Sequence, residues 1–404
     1  MPTAAEGWAH AFAARTQHRS GEVTKILAAT PPGVLSLAGG FPNPETFPTA
    51  VLTDIVERLV HDDPGAVLQY TPCEGIGSFR EHLRDRQERL QGPRPALDEL
   101  IVTSGGMECM ALLCQSVIDP GDAIAVEAPT YLGALMAFAG SEAVIAEILM
   151  DDDGMRVDVL AERLAGGLRP KFVYVIPDYQ NPTGRTLPLA RREALIEVCR
   201  RHGVLILEDV AYREMAFDGA ALPSLWSLAP DAVLQAGTFS KIFAPGVRLG
   251  WAVGPRDVVA QMAAAKQTTD QCSNGLCQRI LEAYGRAGEF ERQIPRSRAL
   301  YASHWRALEQ AFRRYLPNGC TWSEPAGGFF VWLTLPPQLD ADEMRADAVT
   351  AGVTYVPGHA FYASDSGRNE IRLSFSHLSE EDLDRATERL AGVIRGRLER
   401  GTGT

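Results

Sequence analysis

Apolar positions along the chain fall into two alternating patterns. Short unbroken apolar runs occur at Leu100–Thr103, Ala123–Val126, Val144–Leu149, Phe172–Pro177, Val204–Leu207, Val233–Gly237 and Leu249–Val253. Runs of this length without alternation suit strands covered on both faces. Between them, apolar residues spaced three and four apart predict helices at Met107–Val117 and Leu189–His202. Two earlier helices are predicted. Thr49–His61 carries Val51, Ile55, Leu59 and Val60 on one face, and Ser78–Leu90 has Ser78 as its cap. Residues 1–32 read as an arm with a short helix, Glu22–Ala29, stopped by Pro31-Pro32.

The pattern changes near Ala283. A charged helical stretch, Arg286–Tyr315, is interrupted by Pro295. Strands are predicted at Thr321–Trp322, within Gly327–Leu333, at Thr354–Val356 and at Glu370–Ser376, with helices at Ala341–Ala351 and Ser379–Glu399. Strands alternating with helices, then a shorter mixed segment, predict an α/β fold: a large domain with a mostly parallel sheet flanked by helices, and a smaller α+β domain. The boundaries read as an arm and part of the small domain at 1–48, the large domain at 49–285 and the small domain at 286–404.

Composition narrows the class. With 404 residues, 46% of them hydrophobic, the chain can bury a substantial core. A net charge of −12 opposes a nucleic-acid surface or an anionic membrane. No apolar run approaches the roughly 18 residues of a spanning helix, and Met1–Ser20 lacks the apolar stretch of a signal peptide. The seven cysteines form no C-x-x-C pair, which points to free thiols in a reducing cytoplasm. No metal site is indicated by the histidine spacing, and Asp151-Asp152-Asp153-Gly154 lacks the later ligands of a calcium loop.

The strand ends carry the chemistry. Lys241 follows Thr238, Phe239 and Ser240 after one strand, in the apolar setting of Phe243, Val247, Leu249 and Trp251, with Arg248 seven positions on. Desolvation there lowers an ammonium pKa and yields the neutral amine a Schiff base requires. Thr238, Ser240 and Arg248 can hold a phosphate. Together they suggest pyridoxal phosphate (PLP), an aldehyde with a phosphate handle. Ser104-Gly105-Gly106 between a strand and a helix is a further anion site, without the G-x-G-x-x-G of a dinucleotide fold. Gly39-Gly40-Phe41-Pro42 is irregular and lets backbone approach a ligand closely.

Asn181-Pro182-Thr183-Gly184, Asp209-x-x-Tyr212, Ser240-Lys241 with Arg248, and Arg372 in Arg-Leu-Ser-Phe-Ser occur in order over nearly the whole chain. In this the sequence resembles fold-type I PLP enzymes of the class I/II aminotransferase family. Ser36–Pro42 and the arm before it look like the 2-aminoadipate and kynurenine aminotransferase subgroup. The resemblance implies that Lys241 is the Schiff-base lysine and the acid–base group, with Asp209 on the pyridine nitrogen. Tyr212 and Asn181 would face the phenolate oxygen, and Tyr131 would stack on the ring. It places the phosphate on Gly105, Gly106, Met107, Thr238, Ser240 and Arg248. Tyr70 would serve the partner subunit's cofactor in a homodimer. Gly40, Asn181 and Arg372 would hold the substrate carboxylate. The implied reaction is ping-pong transfer of an amino group between an L-amino acid and a 2-oxo acid. A β-lyase, decarboxylase or oxidase on the same scaffold, or a non-catalytic PLP sensor, stay open. Two departures stand out. Gly106-Met107 replaces a Ser/Ala-Gln pair, leaving a mostly backbone phosphate grip. Thr24 stands where relatives often carry an arginine that reads acidic side chains, a role Arg15 or Arg19 could take.

Overall fold

The computed structural model describes Trp8 and residues 11–13, 15, 16, 31–219 and 221–401. The expected helix Glu22–Ala29, with Thr24 and Arg19, lies outside these; Arg15 is exposed.

After β1 (Leu35–Ser36), eight strands form one sheet: β2 (Leu100–Thr103), β3 (Ala123–Ala128), β4 (Val144–Asp151), β5 (Gly154–Met155), β6 (Pro170–Val175), β7 (Leu205–Asp209), β8 (Val233–Thr238) and β9 (Gly250–Val253). Their order is β2-β9-β8-β7-β6-β3-β4-β5. The central run from β8 to β4 is parallel, while β9 runs antiparallel to both neighbours and β5 is antiparallel to β4.

The apolar runs are unbroken because both faces are covered. On β6, Phe172 and Tyr174 enter one core while Val173 and Val175 enter the other. Leu207 and Leu234 follow the first pair, Ile206 and Val233 the second. Among the principal helices, α1 (Thr49–Asp62) and α2 (Gly77–Gln91) precede the sheet, α3 (Gly106–Val117) follows β2 and α4 (Leu132–Gly140) follows β3. Next come α5 (Leu189–His202), α6 (Arg256–Thr269) and α7 (Gly275–Arg286). Helices α3, α4 and α6 cover one face through Met110, Phe138 and Met262; α5 covers the other through Leu195 and Cys199.

The C-terminal part carries the long helix α8 (Glu289–Tyr315) and an antiparallel sheet of order β10-β11-β14-β13, comprising Thr321–Trp322, Phe330–Thr334, Glu370–Ser374 and Val356–Pro357 respectively. Strand β12 (Val353–Thr354) pairs in parallel with β1, and α9 (Glu380–Gly401) closes the chain. A third core joins the two parts, running from Phe79 and Phe239 through Tyr284 and Phe290 to Phe329, Leu373 and Leu390.

Two local expectations are corrected, and two helices are added. Pro295 does not interrupt its helix; α8 runs through it. A proline inside a helix costs about 3 kcal/mol. Burying Phe290, Ile294, Tyr301, Trp305, Leu308 and Phe312 along one stripe contributes about 1.5–3 kcal/mol each, so packing prevails. Ser78 is not the cap of α2, which starts one residue earlier; its hydroxyl donates to Glu282 on α7 instead, at 2.9 Å. Helices α6 and α7 were not anticipated. On α6 the buried positions are Val259, Met262 and Lys266, so a lysine stands where the helical pattern calls for an apolar residue.

Candidate active site

The C-terminal ends of β2, β3, β6, β7 and β8 converge on a cavity of about 340 Å³, of a size suited to a small ligand. Gly40, Gly106, Met107, Tyr131, Asn181, Asp209, Tyr212, Thr238, Ser240, Lys241, Arg248 and Arg372 all line it. Gly105 sits just behind as the N-cap of α3. Tyr70 is elsewhere: it is 83% exposed and lies outside its own chain's cavity, and Arg15 does not line that cavity either.

Lys241 lies in the turn beyond β8. Its Nζ donates to the Gly40 carbonyl at 2.8 Å and lies 5.8 Å and 5.6 Å from the Tyr212 and Phe329 ring centroids. Burial, reinforced by the Arg372 charge and opposed by Asp209, pulls its pKa down to about 8. Gly40 permits this contact, because a Cβ there would stand 2.5 Å from the Phe330 ring. Asp209 ends β7. Its Oδ2 accepts from the Tyr174 hydroxyl at 2.9 Å, and its Oδ1 accepts from the Ala211 amide at 3.0 Å. Burial pushes its pKa up, opposed by these two hydrogen bonds and by Lys241. A buried carboxylate so held can keep a proton on a nitrogen base facing it.

The anion cup is built from two turns. The first amides of α3 have no partner within the helix, and Gly105 turns the chain into it at φ 98°. A Cβ on Gly105 would lie 2.7 Å from Arg248 Nη2, so glycine also leaves room for the guanidinium. Arg248 Nη1 donates to Ser240 Oγ at 3.1 Å, and Thr238 Oγ1 donates to the same oxygen at 3.0 Å. Behind the cup, the fully buried Lys266 donates to Glu108 and Asp270 at 2.9 and 2.7 Å. Glu108 in turn accepts from the Ser104 amide, and Asp270 accepts from the Ser104 hydroxyl at 3.0 Å. These charges pin the residue that leads into the cup.

Arg372, on β14, is buried between two rings, with its guanidinium carbon 4.2 Å from the Phe330 centroid and 4.8 Å from that of Phe361. Nη1 donates to Asn181 Oδ1 at 3.0 Å and Nη2 donates to the Ala38 carbonyl at 2.5 Å, while Nε has no acceptor. Burial lowers its pKa to about 10, so it stays cationic at neutral pH. The Asn181 side chain also contacts the Tyr212 hydroxyl. An amine, a buried carboxylate, a donor-rich anion cup and a buried cation lining one cavity fit a phosphorylated aldehyde and a carboxylate substrate together.

The sequence profile of the family described as Aminotransferase class I and II matches residues 34–390. The chain belongs to that family. It is 36% identical over 385 residues to aromatic-amino-acid aminotransferase 1 of Thermococcus litoralis, covering 94% of this chain and 92% of that protein. It superposes on the kynurenine aminotransferase of Pyrococcus horikoshii, solved in complex with PMP, with a TM-score of 0.92 at 36% identity, covering 96% of this chain and 97% of that one. The α-aminoadipate aminotransferase LysN of Thermus thermophilus, solved with N-(5'-phosphopyridoxyl)-L-leucine, gives a TM-score of 0.91 at 32% identity over 97% and 99% of the two chains. The fold is thus fold-type I, within the aminoadipate and kynurenine aminotransferase subgroup, and the chain is a PLP-dependent transaminase.

Some residues of this aminotransferase site escaped the sequence reading. Tyr174, which holds Asp209, carried a signal: a tyrosine inside a buried strand needs a partner for its hydroxyl. Phe330 and Phe361 around Arg372, and the set Lys266, Glu108 and Asp270, come from distant segments and carried none; Ala38 and Ser104 lie in stretches the sequence marked, but nothing there pointed to these partners.

Proposed function

We propose that this transaminase acts on L-amino acids and 2-oxo acids with large apolar or aromatic side chains. The observation that supports this is the wall facing the substrate space. Phe41, Pro42, Met107, Leu132 and Phe330 line it, and among the described residues the cavity's cations are Lys241, Arg248 and Arg372 alone. Each of the three has another task, which leaves no cation for an acidic side chain. A panel of 2-oxo acids against the amino form of the enzyme tests this. Phenylpyruvate and 4-methyl-2-oxopentanoate should exceed 2-oxoadipate in kcat/KM, and the reverse order would overturn it.

When bound, PLP supplies the electron sink that no protein side chain offers. The amides of Gly105, Gly106 and Met107, with Thr238, Ser240 and Arg248, would hold its phosphate. Tyr131 would cover the ring face, Asn181 and Tyr212 would donate to the ring oxygen, and Asp209 would keep a proton on the ring nitrogen. Lys241 Nζ takes the proton from the substrate α-carbon and returns it on the other side of the exchange. Arg372, with Asn181 and the Gly40 backbone, orients the α-carboxylate, so that half-reactions with donor and acceptor alternate at one site.

The active form in this reading is a cytoplasmic homodimer in which Tyr70 of the partner subunit reaches the phosphate. The exposure of Tyr70, Leu68 and Phe41 supports it, at 83%, 68% and 62%. Light scattering, with a weaker PLP dissociation constant in Tyr70→Phe, checks it. The chain divides, on the same reading, into an arm with part of the small domain at 1–48, a large domain at 49–285 and a small domain at 286–404.

A further inference from the structure

One carboxyl group outside the cavity joins two segments that enter it. Glu127, near the C-terminal end of β3, is buried and does not line the cavity. Its Oε2 accepts from the Ile176 amide, just beyond β6, and from Gln180 Nε2, both at 3.1 Å. The same nitrogen of the buried Gln180 donates to the Pro129 carbonyl at 2.8 Å. Gln180 Oε1 accepts from the Thr183 amide and hydroxyl at 2.9 and 2.7 Å. A primary amide carries two donors and two acceptor lone pairs, and here oxygen acceptors meet the first two and Thr183 donors the others. Turning the amide over would set N–H against N–H, so its orientation is fixed. Through it the end of β3, the turn leading into Tyr131 and the loop carrying Asn181 are tied together.

A buried charge is costly unless it is paired, and among the described residues no lysine or arginine pairs with Glu127. Burial pushes its pKa up to about 8, opposed by its two hydrogen bonds and reinforced by the Asp209 charge. A carboxyl so held contributes a fixed acceptor rather than a charge. The loop has a second anchor at Asp178, bound by Arg192 and Arg213 at 2.6 and 2.9 Å, but that anchor is three residues from Asn181. Gln180 is the residue next to it. The partners of the Asn181 side chain, Arg372 and Tyr212, both line the cavity. They meet the ligands too, so the Asn181 backbone has to be set from behind.

We propose that Glu127 and Gln180 are positioning residues for this transaminase: they hold the Tyr131 turn and the Asn181 loop as one unit, and so fix the Asn181 donation to the cofactor's ring oxygen. This role rests on Asn181 facing that oxygen. The absorbance of bound PLP, titrated with pH, reads it. A donor to the ring oxygen helps most when the Schiff base has lost its proton, so it lowers the pH midpoint of the band. Losing the donor should raise the midpoint by about one unit, the scale of one hydrogen bond. Asn181→Ala sets the full shift. Glu127→Leu and Gln180→Met should each move the midpoint the same way, and the double variant no further than the larger single shift. Glu127→Gln, which keeps the acceptor, should hold the wild-type midpoint. Gln180→Met serves if Glu127→Leu does not fold. A lower melting temperature with an unmoved midpoint in Gln180→Met would overturn the proposal. So would a shift in Glu127→Gln as large as that in Gln180→Met. An unmoved midpoint in Asn181→Ala would instead refute the placing of Asn181, and the positioning role with it.

Discussion

Replacing Arg372 by lysine separates charge from geometry. The lysine keeps a cation near the same point but gives up the planar fork. In the structure the guanidinium is fixed on three sides: Asn181 Oδ1 at 3.0 Å, the Ala38 carbonyl at 2.5 Å and the two rings of Phe330 and Phe361. The guanidinium lines the cavity, and an incoming carboxylate would meet its edge there. An ammonium cannot serve both internal acceptors and two carboxylate oxygens in one plane. Losing one charge-assisted hydrogen bond of about 1.5–3 kcal/mol lowers kcat/KM by about 10- to 150-fold. Stopped-flow reaction of the amino form with a 2-oxo acid measures this. The control is an amine or ketone without an α-carboxylate, whose rate should hardly move. Equal losses for both substrates, or a loss under about three-fold with the oxo acid, would show that Arg372 does not read the carboxylate.

Three further outcomes are expected. The Lys241 amine, with its pKa drawn down to about 8 by burial, is nucleophilic only when neutral. Covalent capture of PLP by the apoprotein should therefore rise about ten-fold per pH unit below that value and level off above it; a flat stopped-flow profile between pH 6 and 9 would refute this, and Lys241→Ala should lose turnover. Asp209→Asn should still bind PLP by absorbance but lower kcat by about 10²–10³, the scale of a lost preorganised charge. Lys266→Met leaves Glu108 and Asp270 facing each other without their cation. Since Asp270 is 28% exposed, the cost should sit near the lower end for a broken buried pair, about 3 kcal/mol, read as a lower guanidinium midpoint with weaker PLP retention.

The central strands were legible because burial on both faces leaves an unbroken apolar run, as at Phe172–Val175 and Val233–Ala236. Their chemical residues were legible for a related reason: a parallel sheet presents its strand ends to one crevice, so Asp209, Lys241 and Asn181 could be placed together before any distance was known. Contacts between distant segments were not legible. Glu108 meets Lys266 across 158 positions, and nothing local marks either as a partner. Helix α6 was missed because three alanines, Ala263–Ala265, blur its stripe and Lys266 occupies a buried position on it. Pro295 misled in the opposite sense, since local propensity argued for a break that tertiary packing of α8 overrode.

The short antiparallel sheet has a consequence beyond support. Arg372 stands opposite Trp332 on β11 and Val356 on β13, whereas its neighbours Ile371 and Leu373 point into the shared core. Side chains alternate along a strand, so a shift of one residue in this pairing would bury the guanidinium in hydrocarbon and offer an aliphatic chain to the substrate. If Arg372 reads the carboxylate as proposed, recognition is set by how β14 is threaded between its neighbours. A lengthened or shortened Asp365–Arg368 turn should abolish turnover while leaving every residue of the PLP cup in place.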